Sequence, residues 1–194
     1  MKLANLLAGI AFCGVSLLAN EATIHENEQH HKELTPYYIA LKGMYSFGDD
    51  YTNDEGIKEE GDAGYGVGVD IGYFFYKKSS SSFAIELDVT YENADVTLYE
   101  EEEEITHSAD YYTTSLDLVY MYQPIHEIGL IAKVGYEYEY EEIADETANE
   151  TDFIVAAGVE YHLSHHYRAI VEYEHSFIDG PKGDVVMAGV VYNF

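Results

Sequence analysis

The sequence predicts an all-β protein: an eight-stranded, antiparallel, up-and-down β-barrel that crosses a membrane. Three observations predict it. The first is alternation. Residues 135–142 read GYEYEYEE, and a strand with a period of two puts Tyr136, Tyr138 and Tyr140 on one face and Glu137, Glu139 and Glu141 on the other. After Pro36 no segment repeats at helical spacing, and apolar residues recur at every second position instead. The second is sorting within those runs: aliphatic and small residues sit in the middle, aromatics at the ends. A water–lipid boundary sorts side chains this way, and a soluble sheet has no reason to. The third is that connections alternate between short and long, as they do where turns on one side of a membrane are tight and loops on the other are extended.

The elements follow in order. Residues 1–19 pair Lys2 with an apolar run from Leu3 to Ala19 and read as a secretory signal peptide, with cleavage after Ala19. The only cysteine, Cys13, lies inside it, preceded by the bulky Phe12, which argues against lipid attachment there. The mature chain is expected to have no thiol chemistry. Residues 20–35 read as a flexible periplasmic tail. His25, His30 and His31 could ligate a transition metal, but a solvated tail is the favoured reading. The barrel is expected over 36–194. Its strands carry outward series starting at Tyr37, Tyr65, Phe83, Tyr112, Ile128, Phe153, Tyr167 and Val186. Each is about the 9–11 residues that a tilted spanning strand requires. The short connections are KKSSSS, QPIHE and SHH; the long ones are 48–63, 92–110, 141–152 and 176–184.

The opposite face of each strand is small or charged. Lys42, Asp70, Glu86, Asp88, Asp117, Lys133, Glu137, Glu160, Arg168 and Glu172 fall there. A charge facing lipid costs about 2–4 kcal/mol at the midplane. These residues therefore point into the barrel as a charge network, with ion pairs around Lys42, Lys133 and Arg168, and with Glu137 and Glu139 facing the upper lumen or its watery mouth. Eight strands leave an interior that side chains just fill. Tyr45, Tyr65, Tyr73, Tyr91, Tyr112, Tyr122, Tyr136, Tyr138, Tyr161, Tyr167 and Tyr173 form the expected aromatic belt. The glycines of GYGVGVDIG are expected to make room and permit curvature; no helix follows them, so a phosphate loop is excluded.

Charge narrows the function. Nine Lys+Arg against 37 Asp+Glu give −28, which excludes nucleic acid as a partner, since phosphate binding needs a basic footprint. The 47% hydrophobic content and 20 tyrosines exclude a disordered acidic chain.

With these features in place, the chain resembles the small eight-stranded outer-membrane barrels of Gram-negative bacteria, such as the transmembrane domain of outer membrane protein A and the porin-family barrels. The resemblance covers 36–194 and rests on the alternating strands and the ending GVVYNF. It implies that Val190, Tyr192 and Phe194 are an assembly signal read by the barrel-assembly machinery. The chain stops where the barrel does, so the cell-wall-binding domain of longer relatives is not expected.

The leading expectation is a non-enzymatic integral outer-membrane protein with a structural or surface-interaction role. Its acidic outer loops would meet a partner or bridge divalent cations to lipopolysaccharide, although DDYTNDEG lacks an EF-hand register. No cofactor is expected. Three other readings stand beside it. A narrow channel would prefer cations. A lipid A-modifying enzyme would need a His/Ser pair, and His175 and Ser176 are adjacent, so they face opposite ways. A soluble lipocalin-like binder would turn the apolar face inward.

Overall fold

The computed structural model describes residues 35–52, 56–100, 103–143 and 146–194. The signal peptide expected at 1–19, all but the last residue of the expected tail and its three histidines lie outside these.

Ten strands form one antiparallel sheet: β1 (Tyr37–Gly48), β2 (Asp50–Thr52), β3 (Lys58–Gly61), β4 (Gly64–Lys78), β5 (Ser81–Glu100), β6 (Glu103–Ile125), β7 (Ile128–Ile143), β8 (Glu146–His162), β9 (Tyr167–Ser176) and β10 (Lys182–Asn193). Eight of them close a ring. Each pairs with its neighbour in sequence, β4 pairs with β1, and β1 pairs with the last strand from Tyr38↔Asn193 to Gly48↔Lys182. Closure removes the unpaired edges that a sheet in lipid could not tolerate.

The pleat decides which face is which. Leu41 is 65% exposed and its neighbour Lys42 is 1% exposed; Tyr136 and Glu137 stand at 49% and 2%. The apolar series therefore faces outward and the charged series inward, the reverse of a lipocalin. At one end β5–β6 and β7–β8 run on as long paired hairpins and a longer connection follows β9, while at the other end tight turns follow β4, β6 and β8, so the two ends of the barrel differ.

Two expected loops are corrected. Residues 92–110 and 141–152 continue the strands instead. β5 and β6 stay paired out to Glu100↔Glu103, and β7 and β8 out to Ile143↔Glu146. Above Asn93, where β4 ends, β3 takes its place beside β5 through Gly61↔Val96, and β2 pairs with β3. The extension has its own core: Ala94, Val96, Ala109 and Tyr111 are buried, with Leu98 and Ile143 packed against them. Burying these side chains gives the hairpins a reason to stay folded beyond the aromatic rim.

Candidate functional site

The lumen is the place where this fold concentrates chemistry. Ten lumen positions were singled out from strand parity, and all ten are buried in the structure.

At the short-turn end the lumen is closed by apolar side chains, among them Tyr38, Phe74, Val119, Met121 and Ile170. Tyr38 faces Gly72 across β1 and β4, and a Cβ at Gly72 would stand 1.9 Å from the tyrosine ring. Only glycine leaves space for that ring. The Tyr38 hydroxyl donates to Glu86 Oε2 at 2.6 Å. Beside this layer Arg168 pairs with Glu160, lies 3.3 Å from Asn193 Oδ1, and stacks its guanidinium 5.4 Å from the Tyr38 ring.

Mid-height is held by two lysines reaching across to acidic walls. Lys42 Nζ lies 2.7 Å from Asp88, 2.9 Å from Asp70 and 3.4 Å from Glu172. Lys133 Nζ pairs with Glu86, lies 2.8 Å from Glu172 and 3.8 Å from Asp70. Carboxylate oxygens of Asp70, Glu86 and Asp88 lie within 4.8 Å of one another, a spacing that could hold a metal ion. Here the two ammonium groups already occupy that position. Among the described residues Asp117 has no cation within ion-pair distance; its carboxylate lies over Gly135, with Ser115 as its neighbour on the same face.

The upper lumen holds a residue the sequence reading did not single out. Lys182, read from the sequence within the last long connection and found as the first residue of β10, turns inward, its Nζ 2.7 Å from Glu139 and 3.3 Å from Thr113. Ser46 donates to Glu92, and Ser176 donates to Glu137. Glu137 and Glu139, expected in the upper lumen or its watery mouth, are buried in the upper lumen, because the strands continue over them. Glu92, Tyr38 and Tyr111 share the parity of the lumen residues on their strands, a signal that could have found them. Lys182 carries no such signal: its loop position gave no direction.

His175 and Ser176 are separated as extended geometry requires. Ser176 points to the lumen, while His175 Nδ1 lies 2.6 Å from Asp184 outside it.

The tyrosines proposed as a belt lie on the outer face in two tiers. Tyr45, Tyr65, Tyr91, Tyr112, Tyr136, Tyr138 and Tyr173 are toward the long-connection end, and Tyr73, Tyr122, Tyr161 and Tyr167 toward the short-turn end. Cross-strand rings meet at Tyr45–Tyr65 (5.3 Å), Tyr91–Tyr112 (5.1 Å) and Tyr136–Phe153 (5.3 Å). On β10, Val190 faces outward, and the Tyr192 ring lies 5.2 Å from Tyr167 and 4.8 Å from Phe194.

A family model described as "Outer membrane protein beta-barrel domain" matches residues 6–194. Among solved structures, the chain is similar to the outer membrane protein OprG of Pseudomonas aeruginosa, at 14% identity over 83% of this chain and 97% of that one, with a TM-score of 0.67. It is also similar to Ail, the attachment invasion locus protein of Yersinia pestis, solved with the heparin analogue sucrose octasulfate, at 16% identity, coverage of 81% and 96%, and a TM-score of 0.55. Neisserial surface protein A matches at 12% identity, with coverage of 84% and 100% and a TM-score of 0.55. No curated protein sequence matches the chain.

Proposed function

We propose, because this chain belongs to the outer membrane protein β-barrel domain family, that it serves as a non-enzymatic anchor presenting an acidic, sheet-built surface outside the cell. The chain is a small outer-membrane β-barrel protein with transmembrane strands in a lipid environment. The observation that carries the finer reading is the outer extension. β5–β6 and β7–β8 continue as paired strands around an apolar core of their own, and their outer ends carry Glu104, Glu142, Glu146 and Glu150.

The lumen supports an anchor over a channel. Apolar layers lie at both ends of a charged middle, and the space left between Tyr38, Lys133 and Arg168 is about 10 Å³, room for about a single water. His175 and Ser176 stand on opposite faces, which leaves that pair unable to share a proton.

In this reading the tyrosine tiers are the interfacial belt, the lumen ion pairs hold the barrel's shape, and Val190, Tyr192 and Phe194 guide assembly by the barrel-assembly machinery. A cleaved leader at 1–19 sends the chain across the inner membrane. The acidic hairpins meet lipopolysaccharide through bridging divalent cations. A polyanion such as the one bound to Ail would be repelled by this surface.

The test is retention of the refolded protein on immobilised lipopolysaccharide with and without Mg²⁺. Retention that needs the ion and falls in Glu142→Gln/Glu146→Gln supports the reading. Retention that ignores both ion and variant sinks it.

A further inference from the structure

The short-turn end opens into a vestibule of about 580 Å³, a volume in the range of small-ligand sites. In a chain of net charge −28 its walls carry the opposite sign: Lys77, Lys78 and Arg168, joined by His126, His162 and His165. Two carboxylates, Glu127 and Glu160, also line it, and Glu160 is already engaged by Arg168 and by His162 Nε2 at 2.9 Å.

The cations are under-neutralised. Among the described residues, neither Lys77 nor Lys78 lies within ion-pair distance of a carboxylate. Lys77 Nζ rests 3.9 Å over the Phe74 ring, which attracts a cation weakly. Arg168 is buried in the wall, and its Nε meets no acceptor. Lys77 lies near the end of β4, beyond the aromatic tier. An ammonium and a guanidinium thus share one concave site with one engaged acid between them. Two lysine ammonium groups without a carboxylate partner, beside a paired guanidinium and low-dielectric walls, favour an incoming anion.

We infer that this vestibule binds an oxyanion, a phosphate or carboxylate group presented to the barrel from its short-turn side. Lys77 and Lys78 supply the charge and the donors at the rim, and Arg168, held by Glu160 and Asn193, adds positive charge at the floor. Two sources share that chemistry: a free anionic solute, or the headgroup phosphate of a lipid in the adjoining leaflet.

The test uses the refolded chain in uncharged micelles, with backbone amide shifts recorded at Ser79–Ser82 and Ser164–His166. Inorganic phosphate and glucose 6-phosphate are titrated against glucose. Saturating shifts at both segments for the two phosphates and not for glucose are expected. Lys77→Gln/Lys78→Gln should weaken binding by about tenfold or more, while Lys58→Gln, on the outer extension, should leave it unchanged. If the double variant does not fold, Lys78→Gln alone carries the test, with a smaller loss expected. Shifts that are absent, that do not saturate, or that persist unchanged in the lysine variants overturn the inference. Nanodiscs then assign the source. If phosphatidylglycerol abolishes the response to soluble phosphate and phosphatidylcholine does not, the lipid headgroup is the ligand; if neither does, a free solute is.

Discussion

At the scale of single residues, the mid-lumen shows how a buried charge survives inside a membrane protein. Lys42 holds three carboxylates, Asp70, Asp88 and Glu172, and Lys133 shares two of them. Desolvation makes each charge costly alone, and the set is tolerable only while it is paired. Lys42→Met removes one cation and leaves Asp88 with no ammonium partner. Breaking a buried pair in this way costs about 3–5 kcal/mol, so the midpoint of urea unfolding in liposomes should fall well below that of the native chain. Lys58 is a useful contrast, because its side chain is 46% exposed beside Asp50 and Glu60. Lys58→Met should change stability by less than about 1 kcal/mol. Equal midpoints for the two variants would contradict this account of the lumen. A second residue-level device lies outside the barrel wall. The Tyr173 hydroxyl and then His175 hold the Asp184 carboxyl below the usual carboxylate range. A depressed folded pKa gives stability that is complete above the ordinary aspartate value and is lost as pH falls through the folded one. The contribution is at most about 1 kcal/mol for so exposed a group. Tyr173→Phe should move the Asp184 titration upward, read from its carboxyl carbon by NMR; an unmoved titration would mean that the hydroxyl does not set it.

At the scale of elements, the outer extension behaves as a small sheet grown on the barrel's rim. Val96 and Ala109 are fully buried there, and Tyr111 lies 5.8 Å beneath Lys182. Val96→Asp places an unpaired charge in that core, so β5–β6 should open above Asn93 while the ring below keeps its pairing. The expected result is new protease cleavage within 94–109 together with an unchanged heat-dependent gel mobility. Loss of the mobility shift would show that the extension and barrel fold as one unit. This element also marks where the sequence stopped being readable. Strand parity sorts Lys42, Asp70, Asp117 and Lys133 from Leu41, Ile71, Leu118 and Val134 because lipid and lumen make opposite demands on successive residues. From Ala94 to Leu98 the same alternation persists as Ala94, Val96 and Leu98, but Asp95 between them faces water, and water tolerates either a strand or a loop. The acidic composition therefore read as a loop. Lys182 was hidden for a different reason. Its direction is set by Glu139 and Thr113, which stand 43 and 69 residues away along the chain, and no local pattern encodes that reach.

At the scale of the whole barrel, the layers combine to close it along its length. The apolar cluster around Tyr38 and Phe74 shuts the short-turn end, the lysine-centred network fills the middle, and Tyr111 with Val96 caps the top. An ion crossing this path would have to displace side chains at every level, and the buried acids would hold back a cation as much as attract it. The refolded protein should therefore give no sustained single-channel steps in planar bilayers at moderate voltage, although its lumen is acidic. The interpretation can be checked from the other side. Replacing Tyr111 and Lys182 with alanine strips the cap and the upper ion pair without touching the Lys42–Lys133 layer. If the layers close the barrel independently, that variant should stay silent too, since the middle remains packed. Steady cation-selective conductance in the native chain would contradict a plugged lumen, and would make the upper carboxylates Glu92, Glu137 and Glu139 the lining of a pathway. Conductance that appears only in the Tyr111→Ala/Lys182→Ala variant would place the whole barrier at the outer cap, and would leave the lysine network a structural brace that ions can pass.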